Sequence, residues 1–383
     1  MTNDHKLSAF KAYDIRGVWE KDLDPGLVYK IGYFLPAALE AKQVLVGRDI
    51  RLSSDEMFQA FSNGITDAGA DVFDAGLSTT PMIYWGTGKF DFDASVMITA
   101  SHNHKSYNGL KFSGKQVLPV GYDNGLNEIE KLIVKDSPIV RKEKGKVEQI
   151  DLTAPYLEFL KKYQPDLSGL NVTIDVSNGL AGLFAKELFG DHVHYLNELP
   201  DGNFPAHEPN PLEPENQEQI KIAVLQNKSD IGLIFDGDAD RVMFIDEKGQ
   251  FVSPDLIIAL LGHYFFKGND SNETVVQDIR TSKAVAEYLQ QYGVNVETWR
   301  VGRAYGATKL KEVDGIYGGE LAGHYYFRDF YYSDSGLLAA LIVLQIVNKF
   351  QRESKTKRDF VSCIKVSPRK HGYSWLWSLS QTF

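Results

Sequence analysis

The spacing of apolar and polar positions changes period many times along the chain, and the changes mark out its elements. Short apolar runs at Val44 to Gly47, from Val72 and Phe73, and at Ala94 to Thr99, Asn171 to Val176, Ile231 to Phe235, Val242 to Ile245 and Thr274 to Asp278 have the length of buried strands. Helical spacings lie between them. Ser53-Ser54-Asp55-Glu56 reads as a capping box, opening a helix with Met57, Phe58, Phe61 and Ile65 on one face. Further helices are predicted around Leu183 to Phe189, at Gln217 to Gln226, Pro254 to Phe266 and Ser282 to Tyr292, the last burying Ala284, Val285, Tyr288 and Leu289. Gly315 to Gly319 ends another strand, and the longest apolar run, Gly336 to Val347, reads as a buried helix too short to span a bilayer.

Strand and helix therefore alternate, as in α/β domains. The charge-rich passage from Lys135 to Gln149 reads as a linker, and the Pro- and Asn-rich passage from Leu199 to Asn216 as an extended loop. A third block opens near Glu247. The expected division is 1–137, 150–247 and 248–365, followed by an atypical tail at 366–383. Each block has a late strand that opens into a chemically loaded loop: Thr99 to His104, Asp236 to Arg241 and Gly319 to His324. Three similar α/β units facing one cleft account for that recurrence, with the loops at carboxyl ends of strands.

Composition narrows the partners. A chain of 383 residues exceeds one ordinary core, and 43% hydrophobic residues suffice for several. A formal net charge of −10 argues against nucleic acid, whereas a small anion needs only a local basic pocket. Cys363 is the only cysteine, which excludes an intramolecular disulfide. Met1 to Phe10 lacks the basic and apolar regions of a signal peptide. The expectation is a soluble cytoplasmic protein, a monomer or weak dimer, that handles small molecules and has no membrane partner.

The candidate chemistry lies in the loops. Asp236, Asp238 and Asp240 alternate in a Gly-containing loop between two strands, so their carboxylates can converge on one divalent cation. Hard anionic oxygen suits Mg²⁺ or Ca²⁺, and Mg²⁺ is favoured; an acidic turn is the structural alternative. Arg241 beside them suggests a phosphate-facing cation. Ser101, with His102 and His104 next to it and Lys111 downstream, is a candidate nucleophile or an incidental turn residue. No G-x-S-x-G elbow is present, so phosphoryl transfer fits better than acyl transfer. Glu320 and His324, in Gly318-Gly319-Glu320-Leu321-Ala322-Gly323-His324, are suited to sugar hydroxyls, or are a helix cap and a core histidine. Arg280, Arg300 and the pair Gly302-Arg303 are candidate phosphate contacts.

Taken together, Tyr13-Asp14-Ile15-Arg16-Gly17, Thr99-Ala100-Ser101-His102-Asn103, Asp236-Gly237-Asp238-Ala239-Asp240-Arg241 and Gly319-Glu320-Leu321-Ala322-Gly323-His324 resemble the α-D-phosphohexomutase superfamily in kind and order. His324-Tyr325-Tyr326-Phe327-Arg328-Asp329-Phe330 and Asp201-Gly202-Asn203-Phe204-Pro205 are similar to its phosphomannomutase/phosphoglucomutase branch. The resemblance implies three domains with mixed sheets sandwiched by helices around a central cleft. It implies that Ser101 carries the phosphoryl group and that Asp236, Asp238 and Asp240 hold Mg²⁺ together with a phosphoserine oxygen. Phosphate would move between O1 and O6 of a hexose phosphate, of mannose or glucose, through a hexose 1,6-bisphosphate that also serves as activator. Arg16, His102 and Lys111 would assist transfer, with Lys111 moving a proton at the sugar hydroxyl. Arg241, Arg280, Gly302, Arg303, Glu320, Ala322 and His324 would bind substrate.

The sequence departs from the family's pattern in places. His104 stands where proline is usual, Ala322 where serine is frequent, Arg303 where many relatives carry histidine and Arg280 where some carry lysine. Lys365 to Phe383, with Trp375 and Trp377 expected to be exposed, does not resemble the family's fourth domain, which grips the non-transferring phosphate. A truncation or a shifted reading frame is the expected origin of that tail. A phosphosugar-binding protein without turnover and a phosphosugar phosphatase are the alternative readings.

Overall fold

The apolar runs sort into three separate sheets. The computed structural model describes residues 7–140, 143–266 and 271–353, and all strands named here lie within them. In the first sheet the order is Ile15–Val18, Tyr107–Gly114, Ala94–Ile98, Gln43–Arg48, Asp71–Leu77, Val147–Gln149, with Pro119–Val120 paired beside Tyr107–Gly114. The second runs Phe251–Val252, Val242–Asp246, Ile231–Phe235, Val172–Asp175, His194–Leu196, and the third Asn295–Trp299, Thr274–Asp278, Tyr317–Gly319, Tyr325–Phe327, Ser333–Asp334.

All three sheets place their loaded loop by the same device. A strand pairs in parallel with one neighbour, runs out at its carboxyl end, and returns antiparallel on its other side: Ala94–Ile98 into Tyr107–Gly114, Ile231–Phe235 into Val242–Asp246, and Tyr317–Gly319 into Tyr325–Phe327. The sheets are therefore mixed, as expected.

Packing fixes the three units against one another. One apolar cluster runs from Met82, Ile83 and Trp85 of the helix Thr80–Lys89, through Ile174 and Phe235, to Tyr317 and Leu337 to Leu344 in the helix Gly336–Glu353. A separate cluster around Val44, Phe61, Val96 and Phe112 fills the outer part of the first domain. No helix among the described residues is long and apolar enough to cross a membrane.

Two expectations need correction. The capping box does not form: Ser53 already has helical backbone angles (φ −88°, ψ −5°) and its side chain caps nothing. Its hydroxyl instead accepts from Asn108 Nδ2 at 2.8 Å, while Ser54 Oγ donates to Asp49 Oδ1 at 2.5 Å. Both serines are thus tied to the first sheet, and the helix they open still buries Met57, Phe58, Phe61 and Ile65. Second, the end of the passage read as a linker, Val147–Gln149, adds an edge strand to the first sheet, with Lys146 N–H donating to Asp71 Oδ1 at 2.8 Å. All three residues of this strand are exposed, so it carries no apolar signal. Cys363 and the tail from Lys365, with Trp375 and Trp377, lie outside the described residues.

Candidate active site

The first loop turns sharply after Ala94–Ile98. Ser101 adopts a left-handed backbone (φ 51°), its N–H donating to Thr99 Oγ1 at 2.9 Å. Such a conformation disfavours an L-residue unless the surroundings impose it. Arg51 does so from beneath: its buried guanidinium donates to the carbonyls of Ser101 (2.8 Å), Asn103 (2.6 Å), His104 (2.9 Å) and Tyr107 (3.1 Å), and is itself held by Asp49. Asn103 in turn accepts from Arg16 Nη1 at 2.7 Å, and Arg16 Nη2 donates to Asp14 at 2.5 Å.

The second loop packs onto the first at backbone distance. A Cβ on Gly237 would lie 2.8 Å from the Ser101 carbonyl, so only glycine permits this approach. Asp236, Asp238 and Asp240 are all buried and offer oxygens within 4.8 Å of one another. Ser101 Oγ donates to Asp236 Oδ2 at 2.9 Å. Lys111 Nζ donates to Oδ2 of Asp238 (2.7 Å) and of Asp240 (2.5 Å), and the Thr80 hydroxyl donates to the same oxygen of Asp238.

These contacts divide the carboxylates electrostatically. Burial, then Asp240 and Asp238, pushes the Asp236 carboxyl well above its usual range. Burial is the largest influence on Asp238 and Asp240 as well and pushes both up, but the cations and donors around them, Lys111 first, together prevail, and Asp240 is held down to about 2. Asp238 Oδ1 and Asp240 Oδ1 are buried without a hydrogen-bond partner. Buried carboxylate oxygens left bare are costly unless a cation meets them, and this hard all-oxygen donor set fits a divalent ion such as Mg²⁺.

The third loop is joined to the second by Arg241, whose Nε donates to His324 Nε2 at 2.9 Å. With Nε2 accepting, His324 Nδ1 carries the proton and donates to Asp334 Oδ2 at 2.6 Å. Asp334 also accepts from Arg303 Nε at 3.3 Å, and the Arg303 guanidinium lies 3.6 Å from the centre of the Tyr84 ring. Glu320 accepts from the Tyr326 hydroxyl at 2.6 Å, and burial raises its carboxyl. It shares a small concavity with Gln277, Trp299, Arg300 and Tyr326. Ala322 is half-buried in the turn between Glu320 and His324.

Ser101, His102, Lys111, Arg16, the three aspartates, Arg241 and His324 thus come together, and Arg303 joins through Asp334. His102 Nδ1 lies 3.3 Å from Ser101 Oγ; burial, then Arg241, Arg16 and Lys111, lowers its imidazole to about 2, so it is neutral. Gly302 (φ 120°) abuts Tyr13 of the first domain, where an added Cβ would come within 2.9 Å of the ring. Arg280 stands further out: it pairs with Asp278 at 2.8 Å with its side chain 43% exposed, and Asp278 in turn accepts from Leu321 N–H of the third loop. Sequence reasoning missed Arg51, Thr80 and Asp334. Charge packed just past an apolar strand, Arg48-Asp49-Ile50-Arg51, was the one available signal for the first.

Comparison with known proteins gives the family. Residues 7–139 match the phosphoglucomutase/phosphomannomutase alpha/beta/alpha domain I, residues 154–249 domain II and residues 253–364 domain III. The chain is 35% identical over 354 residues to a phosphomannomutase of Escherichia coli K12, covering 89% of this chain and 77% of that protein. Against a phosphomannomutase of Methanocaldococcus jannaschii it is 34% identical over 363 residues, covering 92% and 80%. A crystal structure of a phosphoglucomutase/phosphomannomutase family protein from Burkholderia thailandensis superposes with a TM-score of 0.82 at 30% identity, covering 90% of this chain and 77% of that one. Three domain matches in order, this identity and this superposition make the chain a member of the phosphoglucomutase/phosphomannomutase family, an isomerase of the phosphohexomutase type.

Proposed function

We propose that this chain moves a phosphoryl group between O1 and O6 of a hexose phosphate, mannose phosphate first and glucose phosphate second, through phosphorylated Ser101 and a hexose 1,6-bisphosphate. The observation that carries this reading is the Ser101 hydroxyl, 2.9 Å from Asp236 in a three-carboxylate cluster, with Lys111 bonded to Asp238 and Asp240, Arg241 3.9 Å from Asp236 and Arg16 bonded to Asn103. Phosphoryl transfer asks for an aligned oxygen and preorganised positive charge, which these residues supply. Mg²⁺ held by Asp236, Asp238 and Asp240 would offset charge on the transferring group.

In the forward step the P–O bond to Ser101 breaks as one to the sugar hydroxyl forms, and a proton moves in net from that hydroxyl to Ser101 Oγ. We assign the proton at the sugar end to Lys111, which can take it only after its own ammonium proton has passed to a bonded carboxylate, Asp238 or Asp240. Neutral His102, beside Oγ, stands at the serine end. Glu320 grips a sugar hydroxyl at the Ala322 turn, and His324 joins it once phosphate draws Arg241 Nε away from His324 Nε2, while Arg241, Arg303, Arg280 and the backbone at Gly302 receive phosphate. The second half-step returns a phosphoryl group to Ser101 from the other end of the bisphosphate, which is why added bisphosphate acts as activator. With a first domain that extends to the edge strand Val147–Gln149 and further domains at 150–247 and 248–365, each contributes one loop to the cycle.

Phosphorus NMR of the full chain with mannose 1-phosphate or glucose 1-phosphate, Mg²⁺ and a trace of the matching bisphosphate tests the reading. The 6-phosphates should appear and should stop appearing on chelation. Release of inorganic phosphate alone would make the protein a phosphatase, and binding without any new resonance would make it a phosphosugar-binding protein.

A further inference from the structure

Thr80 plays no part in the transfer described above, yet it is bonded to the acidic loop twice. It opens the helix Thr80–Lys89 in the first domain, where Thr79 supplies the cap by accepting from Met82 N–H, and it is fully buried. Its backbone N–H donates to the Asp238 carbonyl at 3.1 Å, and its hydroxyl donates to Asp238 Oδ2. One residue thereby holds both the backbone and the carboxylate of its partner across the boundary between two domains. Lys111 Nζ occupies the same Oδ2 at 2.7 Å, so two donors saturate one carboxylate oxygen while Oδ1, equally buried, has none.

Two donors on one oxygen restrain the rotation of the carboxylate, and with it the position of the other oxygen. Asp238 is one of the three aspartates with oxygens within 4.8 Å of one another, so holding its carboxylate fixes part of that cluster. Threonine suits the task because branching at Cβ restricts its first side-chain torsion, so its hydroxyl is directed before any ion arrives. Loss of partners that orient metal ligands in this way typically lowers metal affinity about ten- to a hundredfold.

We propose that Thr80 is a positioning residue for the divalent cation, fixing Asp238 so that its free oxygen faces the ion. The proposal rests on the reading of Asp236, Asp238 and Asp240 as metal ligands. It also makes the metal site a product of two domains: Thr80 and Lys111 come from the first and the ligands from the second, as Ser101 and Asp236 do for the nucleophile.

The test is calorimetric titration of Mn²⁺ into the metal-free full chain, its Thr80→Val and Thr80→Ser variants, with thermal melts of each metal-free protein. Valine keeps the shape and removes the donor, so affinity should fall on the order of tenfold; serine keeps the donor and should restore it. Thr80→Ala, which adds no methyl against Asp238, must show the same loss as valine and serves if valine prevents folding. Unchanged affinity in the valine and alanine variants, or serine as weak as they are, overturns the proposal while leaving the ligands in place. No saturable binding by the unmodified chain overturns the metal reading itself, and this proposal with it.

Discussion

Arg51 shows how a single side chain sets the geometry of a loop it does not belong to. Four backbone carbonyls between Ser101 and Tyr107 converge on its guanidinium, and Asp49 supplies the countercharge at 3.1 Å. Removing it takes that donor from the carbonyls and the countercharge from the buried Asp49 carboxylate, so Arg51→Met should destabilise the fold by about 3–5 kcal/mol, read from urea unfolding. Arg51→Lys keeps the charge but lacks the planar fork, so it should recover only part of that loss. Equal stability of all three proteins would show that the loop holds its left-handed turn without help.

Among the elements, the turn that follows Val172–Asp175 is braced in the same spirit. Asp175 is buried; its Oδ1 accepts from Ser177 N–H (2.8 Å) and Asn197 Nδ2 (3.0 Å), and its Oδ2 faces His207 Nε2 at 3.1 Å. Leu180 N–H then donates to the Gly237 carbonyl, tying this turn to the acidic loop. Burial alone would lower the His207 imidazole, but the bond to Asp175 and its charge prevail and raise it above 6.5. A raised histidine stabilises the fold fully below its unfolded value and loses that contribution as pH rises through the folded value. Stability should therefore decline on raising the pH from about 6 towards 8, and His207→Gln should flatten that part of the profile. An identical slope in the variant would exclude His207 as its source.

The same scale shows what could be read from the chain alone. The loops at Ser101, Asp236 and Glu320 were legible because each is contiguous: an apolar strand followed at once by reactive side chains. Thr80 was not, since its partner lies 158 residues away and Thr-Thr-Pro reads simply as a helix start. Asp334 escaped for a similar reason, acting only through His324 and Arg303. The serines at 53 and 54 carry a capping signal that tertiary bonds to Asn108 and Asp49 override. Local pattern thus locates the loops, and packing chooses which more distant side chains support them.

For the whole molecule, three repetitions of one sheet device face their loops together, and a shared apolar cluster keeps them in register. Function then depends on contacts between domains: Ser101 with Asp236, Arg241 with His324, Tyr13 against Gly302. The central claim is that Ser101 is the group this assembly phosphorylates. The most direct measurement is peptide mapping by mass spectrometry of the full chain after incubation with a hexose 1,6-bisphosphate and Mg²⁺, beside its Ser101→Ala variant. The account predicts one phosphate, located on Ser101, and neither label nor transfer in the folded variant. A phosphate on another residue, or hexose phosphate isomerisation by Ser101→Ala, would contradict it.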